Sequence, residues 1–320
     1  MTQPKYTVTT TPHIRSSNSI ERTMYFVIIS LTPAVVSGVV FFGLRALLMM
    51  VISIASAVFF EAAYQKLTGK AITVKDGSAV ITGLLLALVL PSGLPLWMPV
   101  IGAFAAIVLV KQLFGGLGHN FLNPALAGRA ILMAAYALPM TTAFIAPRGA
   151  DAVAQATPLM RLYDGDFVPE LNDFIAAFLG NISGSVGETS ALALLVGGIF
   201  LLVMKVITWH IPVAFIGSVL VMGVIFGGVA NGLALYHVLT GGLILGAFFM
   251  ATDYPTSPVT AMGKIVFGIG CGVITMVIRL FGGFPEGVAY AILLMNLTVP
   301  LIDRYIRPQV LGRRRKRVEK

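Results

Sequence analysis

The sequence predicts an all-α polytopic membrane protein, and three observations carry this prediction. Apolar residues make up 57% of the 320 residues and charged residues only 11%, whereas a soluble domain has about 45–50% apolar and about 25% charged residues. The apolar residues fall in runs close to the roughly 20 residues that a membrane-spanning helix needs. The 34 glycines and 17 prolines are distributed through these runs, which indicates interrupted helices, because neighbouring helices re-satisfy the freed backbone groups.

Hydropathy divides the chain into ten predicted spans. The first 22 residues are polar and lack the apolar core of a signal peptide. The spans are 23–43, 46–63, 79–90, 96–114, 124–144, 187–207, 211–230, 236–251, 262–281 and 287–302. The predicted organisation is an N-terminal segment 1–22, a five-helix repeat 23–144, a loop 145–186, a second five-helix repeat 187–303 and a tail 304–320.

The charged residues predict the orientation. Residues 304–320 hold eight Lys or Arg and one Glu, so they supply +7 of the chain's net +9, whereas residues 146–185 carry a net −3. Because cytoplasmic segments next to spans are rich in Lys and Arg, we expect both termini in the cytoplasm and the loop outside. A basic tail after a span favours contact with anionic membrane lipid, and we expect no binding of nucleic acid.

The two halves of the chain resemble each other. Thr82–Leu86 matches Thr240–Ile244 at an offset of 158, and each run leads into a proline-rich break. Pro124 and Pro285, each before an apolar helix, are 161 apart. Five spans per half is an odd number, which predicts inverted repeats with interrupted helices meeting near the bilayer midplane. The alternative is a chance match of short glycine-rich tracts.

Acidic residues in predicted spans are candidate ion-coupling groups, because a carboxylate inside a membrane is costly. Asp253 lies in the break after the eighth span, where backbone carbonyls beside Thr252, Thr256 and Ser257 could help it to bind Na⁺, or Asp253 could carry a proton. A helix cap is an equal alternative for Asp253. Glu286, at the start of the last span, is a further candidate, although a role at the helix N-terminus is favoured there.

Three other features have simpler interpretations. Gly268 and Gly272 indicate close helix packing rather than a dinucleotide loop, since no strand precedes them. One cysteine and four scattered histidines predict no metal site. Pro158 favours an extended backbone at Thr157 that would display its hydroxyl, and spacing alone makes Thr157 an ordinary loop threonine.

Four stretches together resemble the RnfD/NqrB family, which contains the D subunit of the Rnf complex and the NqrB subunit of the sodium-translocating NADH:quinone reductase. They are Phe121–Ala130, Phe249–Asp253, Gly283–Asn296 and the loop segment from Asp151 to Leu159. The resemblance covers residues 20–305, and the short segment before the first span favours Rnf over the quinone reductase. In this family a flavin transferase joins FMN through its phosphate to a threonine hydroxyl.

The resemblance implies that this threonine is Thr157. The matching residues of the attachment motif are Asp151, Ala156, Thr157 and Pro158, whereas Ala154 and Gln155 differ from the usual hydroxyl residue and glycine. A loop of net charge −3 repels a free phosphate, which favours a covalent tether over reversible binding. Arg129, just inside the fifth span, faces either the bundle interior or the cytoplasmic interface, and we expect it to contact a flavin or a partner subunit.

The family resemblance also implies a function. The chain would be one component of an ion-translocating ferredoxin:NAD⁺ oxidoreductase in the inner membrane of a prokaryote, relaying electrons through FMN and coupled to Na⁺ or H⁺ transport. Riboflavin is a further implied cofactor, and the implied partners are the G, A and E subunits of Rnf, its peripheral B and C subunits, and the flavin transferase. The alternatives are a secondary transporter or channel without a redox cofactor, and a structural scaffold.

Overall fold

The computed structural model describes residues 19–147, 155–163, 167–227, 232–282 and 286–307. These residues form helices and connecting turns without a β-strand, apart from one isolated bridge between Pro91 and Ser185. The predicted all-α fold is therefore confirmed. Asp151, the pair Phe284 and Pro285, and most of the predicted tail lie outside the described residues.

The first half begins with a long helix that contains two predicted spans. The helices are α1 (Ile20–Leu67), α2 (Ser78–Leu88), α3 (Met98–Phe104), α4 (Pro124–Ala135) and α5 (Ala137–Thr142). Within α1 the backbone leaves the helical conformation at Gly43 (φ 70°, ψ −157°), which glycine tolerates because it has no Cβ. The two spans predicted at 23–43 and 46–63 meet at this residue. A 3₁₀ turn (Val74–Asp76) precedes α2, and a π-helix (Ala105–Gln112) continues α3.

The second half contains the most strongly bent segment. The helices are α6 (Pro158–Tyr163), α7 (Leu171–Leu179), α8 (Ala191–Val203), α9 (His210–Gly227), α10 (Leu233–Leu239), α11 (Leu243–Leu245), α12 (Ala261–Phe281) and α13 (Val288–Tyr305). A π-helix (Gly246–Met250) continues α11. α10 and the segment Leu243–Met250 meet at 62°, and both Gly241 and Gly242 between them have a φ of 68°. This bend lies inside the predicted eighth span, whereas the sequence predicts the break in the proline-rich segment 253–258, which here forms part of the turn before α12.

Several described helices are shorter than the predicted spans. By length and composition alone, α1, α12, α13 and the bent pair around Gly241 are long and apolar enough to cross a membrane. α2 has 11 residues, and at about 1.5 Å per residue it covers roughly half of a bilayer core of about 30 Å. The predicted fifth span is divided at Tyr136, which separates α4 from α5. The ten-span count and the inverted relation of the halves remain predictions.

Close packing of α12 on α9 is confirmed at the two glycines singled out in the sequence. A Cβ atom at Gly268 would lie 2.8 Å from the Cβ of Ala214, and one at Gly272 would lie 1.8 Å from Oγ of Ser218. No side chain larger than hydrogen fits at either position without a shift of α9. The small residues therefore let the two helix backbones approach each other.

The two halves also share a hydrogen bond at the predicted offset. Oγ1 of Thr82 donates to the carbonyl of Ser78 at 3.0 Å, and Oγ1 of Thr240 donates to the carbonyl of Tyr236 at 2.7 Å. Each pair has the same spacing along the chain, and the pairs are 158 residues apart. α2 continues beyond Thr82, whereas α10 ends before Thr240 and leads to the break at Gly241.

Candidate functional site

Thr157 lies directly before α6 and is buried, with 5% of its surface exposed. Its Oγ1 accepts a hydrogen bond from the backbone N–H of Met160 at 3.3 Å, as an N-capping threonine does. Oγ of Ser183 donates to the carbonyl of Ala156 at 2.7 Å and fixes the preceding residue. The hydroxyl is thus turned into the protein, contrary to the expectation that Pro158 would display it. The physical reason is the short helix that begins at this proline, whose free N–H groups need an acceptor.

The Thr157 cavity is narrow and acidic. Its volume is about 10 Å³, and its walls include the side chains of Glu188 and Glu286 and the backbone at Gly241. A space of this size holds about one water molecule. The predicted flavin-attachment residue and the predicted ion-coupling residue Glu286 therefore face the same small space.

Arg129 joins the two carboxylates of this cavity. Its Nη1 donates to Oε1 of Glu188 at 3.2 Å, and its Nη2 pairs with Oε2 of Glu286. Arg129 and Glu188 are each 7% exposed, so the side chain of Arg129 faces the bundle interior, as one of the two predicted alternatives states. Glu286 lies one residue before Gly287, the N-cap residue of α13, and no described side chain makes a cap hydrogen bond there.

The contacts of Arg129 join residues that the predicted topology puts at opposite faces. The predicted topology puts Arg129 near the cytoplasmic face, but its partners Glu188 and Glu286 are predicted near the outer face. The first turns of α4 consist of buried residues. Its cap residue Asn123 is 3% exposed and donates through Nδ2 to the carbonyl of Met250 at 3.2 Å.

A second arginine holds the break in the eighth span. Arg279 of α12 is 4% exposed, and its Nη2 donates to the carbonyls of Thr240 and Gly241, both at 3.1 Å. Its Nη1 donates to the carbonyl of His237. These carbonyls have no partner within α10 because the helix ends there. Glu188 and Glu286 also act electrostatically on Arg279, so with Arg129 two cations and two anions lie in this region and their charges balance.

Asp253 lines a different and larger cavity, which we call the Asp253 cavity. Its volume is about 110 Å³, and both halves of the chain contribute walls. The polar residues of the wall are Thr23, Ser78, Thr82, Lys111, Asn120, Asn123, Thr252, Asp253 and Tyr254. Oδ2 of Asp253 accepts from Oγ1 of Thr256 at 3.2 Å, and the side-chain cap of α12 is Thr260 instead. Within the described residues, Asp253 caps no helix.

The predicted ion-coupling residues do not form one site. Thr252 and Asp253 line the Asp253 cavity, whereas Glu286 lines the Thr157 cavity and pairs with Arg129. The hydroxyl of Thr252 donates to the carbonyl of Phe248 at 2.7 Å, which leaves lone pairs on its oxygen. Ser257 is buried but is not among the residues of either cavity wall.

Sequence reasoning missed a buried ion pair beside the Asp253 cavity. Nζ of Lys111 lies 2.9 Å from both carboxylate oxygens of Glu61 and donates to Oγ of Ser78 at 2.6 Å. Nε2 of Gln112 donates to the same carboxylate at 2.8 Å. Glu61 and Lys111 both lie inside predicted spans, so the rule that marked Asp253 would also have marked them.

Comparisons with known proteins give one family over nearly the whole chain. The family described as NQR2, RnfD, RnfE matches residues 7–312. The D subunit of the Na(+)-translocating ferredoxin:NAD(+) oxidoreductase complex from Acetobacterium woodii is 46% identical over 98% of this chain and 97% of its own length. The D subunit of the proton-translocating ferredoxin:NAD(+) oxidoreductase complex from Clostridium ljungdahlii is 44% identical over 97% of each chain. The D subunit of the ion-translocating oxidoreductase complex from Stutzerimonas stutzeri is 39% identical over 92% of this chain and 93% of its own.

Proposed function

This chain belongs to the NQR2, RnfD, RnfE family, as four stretches of its sequence predict. We propose that it is the membrane flavoprotein component of an ion-translocating ferredoxin:NAD⁺ oxidoreductase complex. The observation that carries the proposal is the identity of 46% and 44% to two D subunits with that activity in their names, each matched along nearly its full length. The proposed partners are the G, A, E, B and C subunits of Rnf. The proposed location is a prokaryotic inner membrane, with the loop 145–186 outside.

FMN is proposed to be esterified through its phosphate to Oγ1 of Thr157, where it supplies one-electron transfer when bound. The charges around Thr157 favour a covalent phosphate over a reversibly bound one. The paired charges of Arg129, Glu188 and Glu286 leave no net positive charge that would attract a free anion. A covalent bond needs no such attraction, and the N–H of Met160 already holds the threonine oxygen in place.

Ion coupling is proposed at Asp253. The carboxylate of Asp253 contacts the hydroxyl of Thr256 and lines the same cavity as Thr252. Such oxygens are the hard ligands that suit Na⁺, and the same carboxylate can hold a proton. The names of the two relatives specify Na⁺ and H⁺ respectively, so one architecture serves either ion. Lys111 lines the same cavity, but its charge is neutralised by Glu61.

The attachment is tested on the whole complex, expressed together with its flavin transferase. A denaturing gel viewed under ultraviolet light should show a fluorescent band for the wild-type chain and none for Thr157→Ala. Thr189→Ala is the matched control, because Thr189 is also buried and lines the same cavity. A wild-type chain without fluorescence, as expected of a permease or a scaffold, would overturn the proposal.

Riboflavin, the second cofactor that the resemblance implies, is proposed as a non-covalent component. Denaturation should release riboflavin from the purified complex while FMN stays on the chain. Chromatography of the extract measures this directly. An extract without riboflavin would remove this cofactor from the proposal and leave the proposed covalent FMN unchanged.

A further inference from the structure

Arg161 forms no ion pair with any described residue, although Asp173 lines the same cavity as Arg161. It lies on α6, four residues after Thr157, so the two residues are on the same side of a helical turn. Its Nε is buried and has no hydrogen-bond partner, and none of the ion pairs among the described residues includes it. Buried donors without an acceptor are rare in native proteins. This donor therefore fits a ligand with an anionic or carbonyl oxygen.

The side chain of Arg161 lines a cavity of about 270 Å³, which we call the Arg161 cavity. This volume is near the lower limit of the roughly 300–1,000 Å³ typical of small-molecule sites. The polar residues of its wall are Gln155, Arg161, Asp173, Asn181, Ser183 and Tyr236. It shares Ile182 and Ser183 with the Thr157 cavity, so the two spaces are neighbours.

Aromatic rings form one side of this region. The guanidinium carbon of Arg161 lies 4.5 Å from the ring centroid of Phe167. The ring of Tyr236, which is 1% exposed, lies 5.9 Å from that of Phe167 and 5.3 Å from that of Phe174, centroid to centroid. A flat aromatic ligand with a polar edge would find both an aromatic surface and hydrogen-bonding groups here.

On the basis of the proposed attachment at Thr157, we propose that the Arg161 cavity holds the ring system of the attached flavin and that Arg161 is a binding residue for it. The Thr157 cavity holds about one water molecule, so the rings have to lie elsewhere. The amide side chains of Gln155 and Asn181 match the carbonyl and N–H groups of the flavin's pyrimidine edge. The guanidinium of Arg161 favours the reduced, more negative form of the flavin, because charge beside these rings sets their potential. The carboxylate of Asp173 in the same wall acts in the opposite direction, so loss of the Arg161 charge leaves an acidic cavity.

The test is a redox titration of the purified complex that carries Arg161→Gln. At a fixed potential we expect the reduced fraction of the Thr157-linked flavin to fall, with the ratio of reduced to oxidised flavin about tenfold lower. For a one-electron couple this is a shift of about 59 mV to more negative potential. Arg161→Lys should keep most of the wild-type potential, and the matched control Arg304→Gln, at an exposed arginine near the end of α13, should leave it unchanged.

A mass measurement on the same samples separates the possible failures. If Arg161→Gln keeps one FMN per chain and both its potential and its absorption spectrum equal those of the wild type, the assignment of Arg161 is wrong and the attachment at Thr157 stands. If Arg161→Gln lacks FMN, Asn181→Asp supplies the test, because a carboxylate beside the rings should also lower the potential. A wild-type chain without FMN overturns the proposed attachment, and the assignment of Arg161 falls with it.

Discussion

Arg279 donates through Nη2 to the carbonyl of Gly241 at 3.1 Å and so ties α12 to the residue at which the eighth predicted span breaks. Gly241 also lines the Thr157 cavity, and a Cβ atom there would lie 2.0 Å from Cδ1 of Leu159 on α6. The segment that starts after this break continues to Thr252 in the wall of the Asp253 cavity. One broken helix therefore connects the proposed flavin site with the proposed ion site.

Arg279→Gln is expected to lower the thermal stability of the protein. The substitution removes charge-assisted hydrogen bonds to the carbonyls at the end of α10, and each such bond contributes about 1.5–3 kcal/mol. Thermal unfolding of the full chain in detergent measures the effect, with Arg304→Gln as an exposed control. An Arg279→Gln midpoint equal to that of the control would show that the break does not depend on this arginine.

Arg129→Met is expected to destabilise the protein more than Glu188→Gln does. Without Arg129, the buried carboxylate of Glu188 and the partly buried carboxylate of Glu286 lose their ion pair, and breaking a buried pair costs about 3–5 kcal/mol. The double variant should recover part of this loss, because only one carboxylate then remains without a partner. A double-mutant cycle on unfolding free energies measures the coupling, and strictly additive losses would contradict the ion-pair account.

Gly272→Ala is expected to disrupt the contact between α12 and α9, whereas Gly217→Ala should not. The added methyl group at position 272 would lie 1.8 Å from Oγ of Ser218, while no atom lies within 4 Å of the corresponding position at Gly217. Alanine at 217 also gains about 1 kcal/mol of helix propensity over glycine. Thermal midpoints of the two variants decide the matter, and equal midpoints would refute the close packing.

Asp253→Asn is expected to abolish ion transport that depends on electron transfer, because the amide can neither hold a proton nor supply a negative charge to Na⁺. The measurement is uptake of ²²Na⁺, and separately of H⁺, by vesicles that contain the whole complex. Glu21→Gln, at an exposed carboxylate in the first turn of α1, is the control. Unchanged coupled transport of both ions in Asp253→Asn would remove this residue from the ion path.

Sequence patterns predict the local features of this fold better than its long-range contacts. The helical segments and the break at Gly43 between the first two predicted spans are local features. Each is set by residues that are neighbours in the chain, so hydropathy predicts them. The partners of Arg129 are 59 and 157 residues away in the chain. A buried charge indicates that some partner exists, but it does not indicate which residue that is. Likewise, Ser183 contacts the carbonyl of Ala156, next to Thr157, from 27 residues away in the chain.

Mass spectrometry of the tryptic peptide from Gly149 to Arg161 tests the proposed attachment of FMN to Thr157 directly. This peptide contains one hydroxyl residue, Thr157, so a modification of a hydroxyl group in it identifies that residue without further fragmentation. From the complex matured with its flavin transferase, the account predicts a peptide heavier by one FMN less one water, and an unmodified peptide from Thr157→Ala. An unmodified wild-type peptide from that complex would contradict the account.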